Sequence, residues 1–342
     1  MDSREEDDLQ KLSDIRAGDP IAQEAEFEKN FPAKKFPGRL PIRSLQINFL
    51  ERFNHFSISA ENVLSTLEQR KIHSKIIVDI KSYVLTSPSC KKIDDQYYIF
   101  TSESFNAYLW CAVYCFMVHY EYTNQRHPFV KTIPDFLITD QMLDRSREIF
   151  SWGRSLSSSF TLWPTGYPSP NPTSMLCDSE ALYCLYANHL SINAQVFYLY
   201  HELSHAVLKH FHSSESKRFE QDADNFAMDI MKDPHEDVTF FSAIFGIICA
   251  LCSLLFLKKP PLALSSETHP DADIRILNAR DRLIDKDNKY YEYISHFISI
   301  VFRMFSMTYL IESPDMLKGN KGFETSEESI DYYLRLFEKY KA

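Results

Sequence analysis

Residues 238–257, Val-Thr-Phe-Phe-Ser-Ala-Ile-Phe-Gly-Ile-Ile-Cys-Ala-Leu-Cys-Ser-Leu-Leu-Phe-Leu, contain no charged side chain. A run of this length has two homes. It can cross a bilayer, or it can form a helix at the centre of a large core, apolar all round because protein covers every side. The buried helix is the expectation, because a span would cut off the downstream residues from the upstream motif that they complete chemically. An inner-membrane span through 238–257 is the alternative. Cys249 and Cys252 lie inside the run as a C-x-x-C, and in such apolar surroundings they read as packing residues, not as a redox pair.

A buried helix needs a large core around it, and 342 residues with 44% hydrophobic and 14% aromatic side chains supply one. Only 7 glycines are present, too few for a turn-rich barrel or sandwich. The expected class is therefore α+β and predominantly helical. Residues 1–45 are acid-rich and then turn through Pro37, Gly38 and Pro41, as a mobile arm would. Residues 46–173 read as an α+β region packed on the catalytic part. It has Phe49, Phe53 and Phe56 at helical spacing, strands at 76–78 and 96–101, and an aromatic helix capped at Ser102 or Ser104 that runs to about His119. A loop rich in proline covers 163–173. Residues 174–342 read as a helical region that carries the chemistry, with helices at 191–212 and 216–231.

The formal charge of −10, with no Lys/Arg block longer than a pair, argues against a nucleic-acid partner, since phosphate binding needs a basic face. Seven cysteines at irregular spacing do not resemble a disulfide framework and point to a reducing compartment. The start, Met-Asp-Ser-Arg-Glu-Glu-Asp-Asp, lacks the basic and apolar regions of a secretory signal, so the cytoplasm is expected.

The motif that carries chemistry is His201-Glu202-Leu203-Ser204-His205, flanked on both sides by apolar residues. Four helical residues turn about 400°, so both imidazoles project from one face and can share a metal. Glu202 then lies beside that metal and can take a proton from water. Without a metal, three ionisable groups in an apolar helix would be costly to bury. A third ligand is expected from Glu220, on the next helix, with Asp222 as runner-up. Asp224, one turn after Glu220, is placed to fix a ligand imidazole, most naturally that of His201, by accepting from its second nitrogen. Thr268-His269-Pro270 reads as a loop from which His269 can donate to an oxyanion, and Arg275 as an anchor for that loop or for a substrate carboxylate. His210, His212 and His235 read as helix-end or loop residues without a chemical role.

Taken together, His201-Glu202-x-x-His205, Glu220-x-Asp222-Ala223-Asp224 and Thr268-His269-Pro270 with Arg275 resemble the gluzincin metallopeptidases, and among these the phage-exclusion Lit peptidase family. The resemblance runs from about Tyr98 to Arg280. Asp222 stands where relatives often carry Glu, at a position that is not a ligand. It implies a zincin-like domain with an active-site helix and a second ligand-bearing helix. It also implies zinc-dependent proteolysis in the bacterial cytoplasm as abortive phage defence, with translation elongation factor Tu as substrate. A phage-derived activating peptide is a separate expectation, since an unrestrained protease acting on an essential host protein would harm its own cell. A zinc-stabilised sensor without turnover, a membrane-embedded gluzincin and a non-peptide hydrolase such as an amidase are the competing expectations.

Overall fold

The computed structural model describes residues 41–69, 74–79, 85–93, 96–125, 137–159, 161–170, 177–210, 216–235, 239–264, 269–309 and 323–341. Of the acid-rich stretch read as an arm, residues 1–40 lie outside the described residues. Pro41–Leu45 form a 3-10 turn with Ile42 and Leu45 buried. Helices α1 (Gln46–Asn54) and α2 (Ile58–Gln69) follow, and α1 buries Phe49 and Phe53 through the spacing that marked it in the sequence. The strands β1 (Ser74–Asp79), β2 (Ser89–Ile93) and β3 (Gln96–Ser102) form a sheet of order β1-β3-β2, with β1 parallel and β2 antiparallel to β3. The first and last of these contain the expected strands, and β2 is additional. It is an edge strand, and its Lys91 and Lys92 are exposed, the kind of charge that discourages pairing with another chain.

The aromatic helix α3 (Glu103–Gln125) extends six residues beyond the expected His119. It packs against α4 (Asp140–Ser155), where Gly153 allows close approach to Cys111: a Cβ there would lie 3.0 Å from that of Cys111. At the same junction Trp110 stacks on Tyr114 and meets Trp163 edge-on at 5.5 Å, while Trp163 lies 4.8 Å from Trp152. Chain direction after the proline-rich loop is set by α5 (Asp178–Val207), which starts with the acidic residues Asp178 and Glu180 that suit a helix N-terminus. This helix is longer at its start and shorter at its end than the periodicity suggested. Lys209 closes it with φ +60, turning the chain toward α6 (Ser216–Met231).

The charge-free run resolves as α7 (Phe240–Leu254), capped by Thr239 accepting from the Ser242 amide, followed by turns through Leu257. Fifteen residues at ~1.5 Å rise give roughly 22 Å, short of a hydrocarbon core of about 30 Å. Among the described residues no helix is long and apolar enough to cross a membrane. Ala243 to Ser253 are all buried, wrapped by α5, by α3, and by α8 (Ala272–Leu283) and α9 (Lys289–Thr308). The α5–α7 crossing is tight at Gly246: a Cβ there would sit 2.5 Å from Asn193 Cβ, inside any real contact distance. Cys249 and Cys252 are fully buried free thiols, in keeping with a packing role. A last helix, α10 (Ser326–Glu338), capped by Thr325, covers α9. The described residues are thus mostly helical with one small sheet, and α5 runs through the middle of them.

Candidate metal centre

Because α5 is central, the two turns that carry the motif are enclosed on most sides. Leu203 and Ala206 point into the core, while His201 and His205 face α6. Glu220, in the second turn of α6, comes up against both: its Oε2 is 3.2 Å from His201 Nε2 and its Oε1 3.5 Å from His205 Nε2. One donor atom from each of the three residues lies within 4.8 Å of the others. A tetrahedral zinc with ligands at ~2.0–2.1 Å requires donor separations of roughly 3.4 Å, so these spacings suit it. Two imidazoles with one carboxylate are also a donor set that zinc uses.

Charge makes the same point. When ionised, Glu202, Glu220 and Asp224 are opposed by one guanidinium, that of Arg275, so two negative charges are left uncompensated in a largely buried place. A divalent cation would cancel them. In the metal-free molecule a proton on His201 takes part of that role. Burial works against it, but hydrogen bonds to Asp224 and Glu220 outweigh burial and push the His201 pKa up. For Glu220 burial alone would raise the pKa, and the hydrogen bond from His201 with the charges of His201, His269 and Arg275 reverses that and lowers it. His205 moves the other way, down to about 4, through burial and the neighbouring charge of His201.

A chain of hydrogen bonds orients His201. Its Nδ1–H donates to Asp224 Oδ1 at 2.9 Å, which turns Nε2 toward Glu220. Asp224 is 1% exposed, and Arg275 grips it with two bonds of 2.7 Å, from Nε to Oδ2 and from NH2 to Oδ1. Arg275 is itself buried, and both of these bonds go to Asp224. His205 has an orienting partner too, which the sequence reading missed. His210 Nδ1 lies 3.1 Å from His205 Nδ1, and its ring stacks on Phe219 at 4.3 Å and 9°. One of these two nitrogens carries the shared proton, so His210 holds His205 as Asp224 holds His201. Asp222, the runner-up ligand, points away on the outer face of α6 toward Arg218, and His235 pairs with Glu61 far from the site. Thr268 and His212 lie outside the described residues.

Glu202 is partly exposed to a cleft of ≈430 Å³ that opens beside the three donors. Its pKa is pushed up to about 7, first by burial and then by the charge of Glu220, against the opposing pull of His201 and of a hydrogen bond from the Cys90 backbone amide. That amide belongs to β2, so the edge strand forms one wall of the cleft with Ser89 and Cys90. Leu254, Leu257, Leu262 and Ala263 add an apolar part to its lining. His269 overhangs the opening, half exposed, with Nε2 3.6 Å from Glu220 Oε1.

The model of the family Peptidase U49 matches residues 99–297, more than half of the chain. The chain belongs to the Peptidase U49 family. The match supports a protease and takes in every residue from His201 to Arg275 named above, whereas β2 and α10 fall outside it. No curated protein and no solved structure matches the chain.

Proposed function

We propose that the protein is a zinc-dependent endopeptidase of gluzincin type with a zincin-like catalytic region, acting on a cytoplasmic protein. The observation that carries this reading is the convergence of His201, His205 and Glu220 donor atoms beside a cleft that Glu202 enters from the same helix. A zinc ion held by those three residues would supply Lewis acidity, polarising a carbonyl and making water acidic enough to lose a proton near neutral pH.

Glu202 is the group that accepts that proton and returns it to the leaving amine. The Cys90 amide holds its carboxylate in place. Asp224 and His210 keep the two imidazoles turned with Nε2 toward Glu220. His269 donates to the oxyanion as the carbonyl becomes tetrahedral. Substrate backbone lies extended beside β2, the edge strand that lines the cleft, and the apolar lining takes a side chain.

Through the family, the biological reading is abortive phage defence, with elongation factor Tu as substrate; to it we add a phage-derived peptide as activator. The test is zinc content by mass spectrometry on wild type, Glu202→Gln and Glu220→Ala, with cleavage of the factor followed on a gel in infected-cell extract. Wild type and Glu202→Gln each hold one zinc, Glu220→Ala loses it, and only wild type cuts. Absence of metal from all three would overturn the reading; metal without cleavage of the factor would overturn the substrate alone.

A further inference from the structure

The loop that carries His269 is held from two sides. On the inner side Arg275 is locked to Asp224. The outer side is closed by a residue far away in sequence. Asp271 is the N-cap of α8, yet its carboxylate makes no capping hydrogen bond. It is turned to Lys341 instead, whose Nζ lies 3.2 Å from Asp271 Oδ2, 2.9 Å from Asp273 Oδ2 and 2.7 Å from Glu338 Oε1. An ammonium has three protons, and here each meets a carboxylate. Asp273 is 1% exposed and the Lys341 side chain 12%, so this is a buried contact and not a surface ion pair. Without the ammonium, Asp273 would be an unpaired buried acid at the start of α8.

Lys341 follows α10, and neither is part of the family match, which ends at residue 297. We propose that Lys341 is a positioning residue of the active site: by clasping Asp271 and Asp273 it fixes the loop that sets His269 over the cleft. The region beyond the family core thereby controls the reaction without touching substrate. This rests on the reading of His269 as the oxyanion donor.

The test uses the full-length, zinc-loaded chain as wild type, Lys341→Met, Lys341→Arg, Asp271→Asn, His269→Ala and the Lys341→Met/His269→Ala double variant. Two quantities are measured: initial rates on fluorescein-labelled casein, and amide hydrogen exchange across residues 269–275. A displaced catalytic group costs rate more than binding, so Lys341→Met should lower kcat about tenfold or more with KM within about twofold. The same change in the His269→Ala background should cost nothing further. Lys341→Arg should stay within about threefold of wild type, since it keeps the charge, while Asp271→Asn, which removes one arm, falls between. Exchange at 269–275 should quicken in Lys341→Met while α5 and α6 keep their protection. An equal rate loss in both backgrounds would show a general stabilising role and overturn the proposal. If casein survives even the wild type, what has failed is the use of casein without the activating peptide, or the proteolytic reading, and not the clasp. Exchange then decides the clasp, and unchanged protection at 269–275 in Lys341→Met and Asp271→Asn would overturn it.

Discussion

Replacing Asp224 by Asn keeps the shape of the side chain and removes its charge, at a point where three N–H groups converge: His201 Nδ1 at 2.9 Å and two from Arg275 at 2.7 Å each. A carboxylate accepts all three. An amide has a single oxygen and turns an NH2 group against at least one of the donors. Two losses follow, and they differ in size. Leaving the buried guanidinium without its counter-charge costs on the order of 3–5 kcal/mol of stability. For a chain of this size that lowers Tm by roughly 5–10 °C. Loosening the orientation of His201 costs about 10–100-fold in zinc affinity, which is about 1.4–2.7 kcal/mol. The assay is thermal unfolding of the metal-free variant beside wild type, with zinc affinity from competition against a chromophoric chelator. Arg275→Lys serves as comparison: it keeps the charge and loses the fork, so it should lower Tm less than Asp224→Asn and leave zinc affinity closer to wild type. A lower Tm with unchanged zinc affinity would refute the orienting role and reduce Asp224 to a structural partner of Arg275. Unchanged Tm would refute the burial argument.

Three further outcomes are expected. His210→Ala removes the partner of His205 Nδ1 and should weaken zinc binding about tenfold in the same competition assay, with little change in the metal-free Tm because His210 lies at the rim of the cleft. Gly246→Ala forces a methyl group against Asn193, where overpacking costs about 1–3 kcal/mol, read as a shift of the urea midpoint at unchanged m-value. Stripping the metal with chelator should abolish cleavage yet leave the far-ultraviolet dichroism of a helical protein intact, because the buried core of α3, α5, α7 and α9 closes without metal-binding residues; loss of helical signal would show that the metal is structural.

Much of the centre was legible in the sequence because helical periodicity is local. The spacing of His201 and His205, and that of Glu220 and Asp224, determines which side chains share a face before any tertiary contact is known. The apolar run 238–257 likewise announced a helix that must be enclosed. What escaped the reading depends on where chain segments end and meet. His210 looked like one more residue of a helix expected to reach 212; in the structure the helix ends at Val207 and Lys209 turns the chain in the left-handed region, which folds His210 back onto His205. Strand β2 has no apolar alternation, since Ser-Cys-Lys-Lys-Ile is shaped by its edge position more than by burial. Arg275 was read as an anchor without a named partner; that partner, Asp224, is 51 residues away, and no spacing rule connects the two.

The three tryptophans of the chain have a consequence for anyone who watches this protein by light. Trp163 meets both Trp110 and Trp152 beside the α3–α4 junction, and none of the three lines the cleft. Excitation at the red edge therefore addresses one neighbourhood, in which the indoles exchange energy and emit as a group. A zinc titration followed by that emission would look flat even as the centre fills. The same signal would follow the packing of the aromatic junction faithfully, which makes it a gauge of the fold that is optically separate from the chemistry.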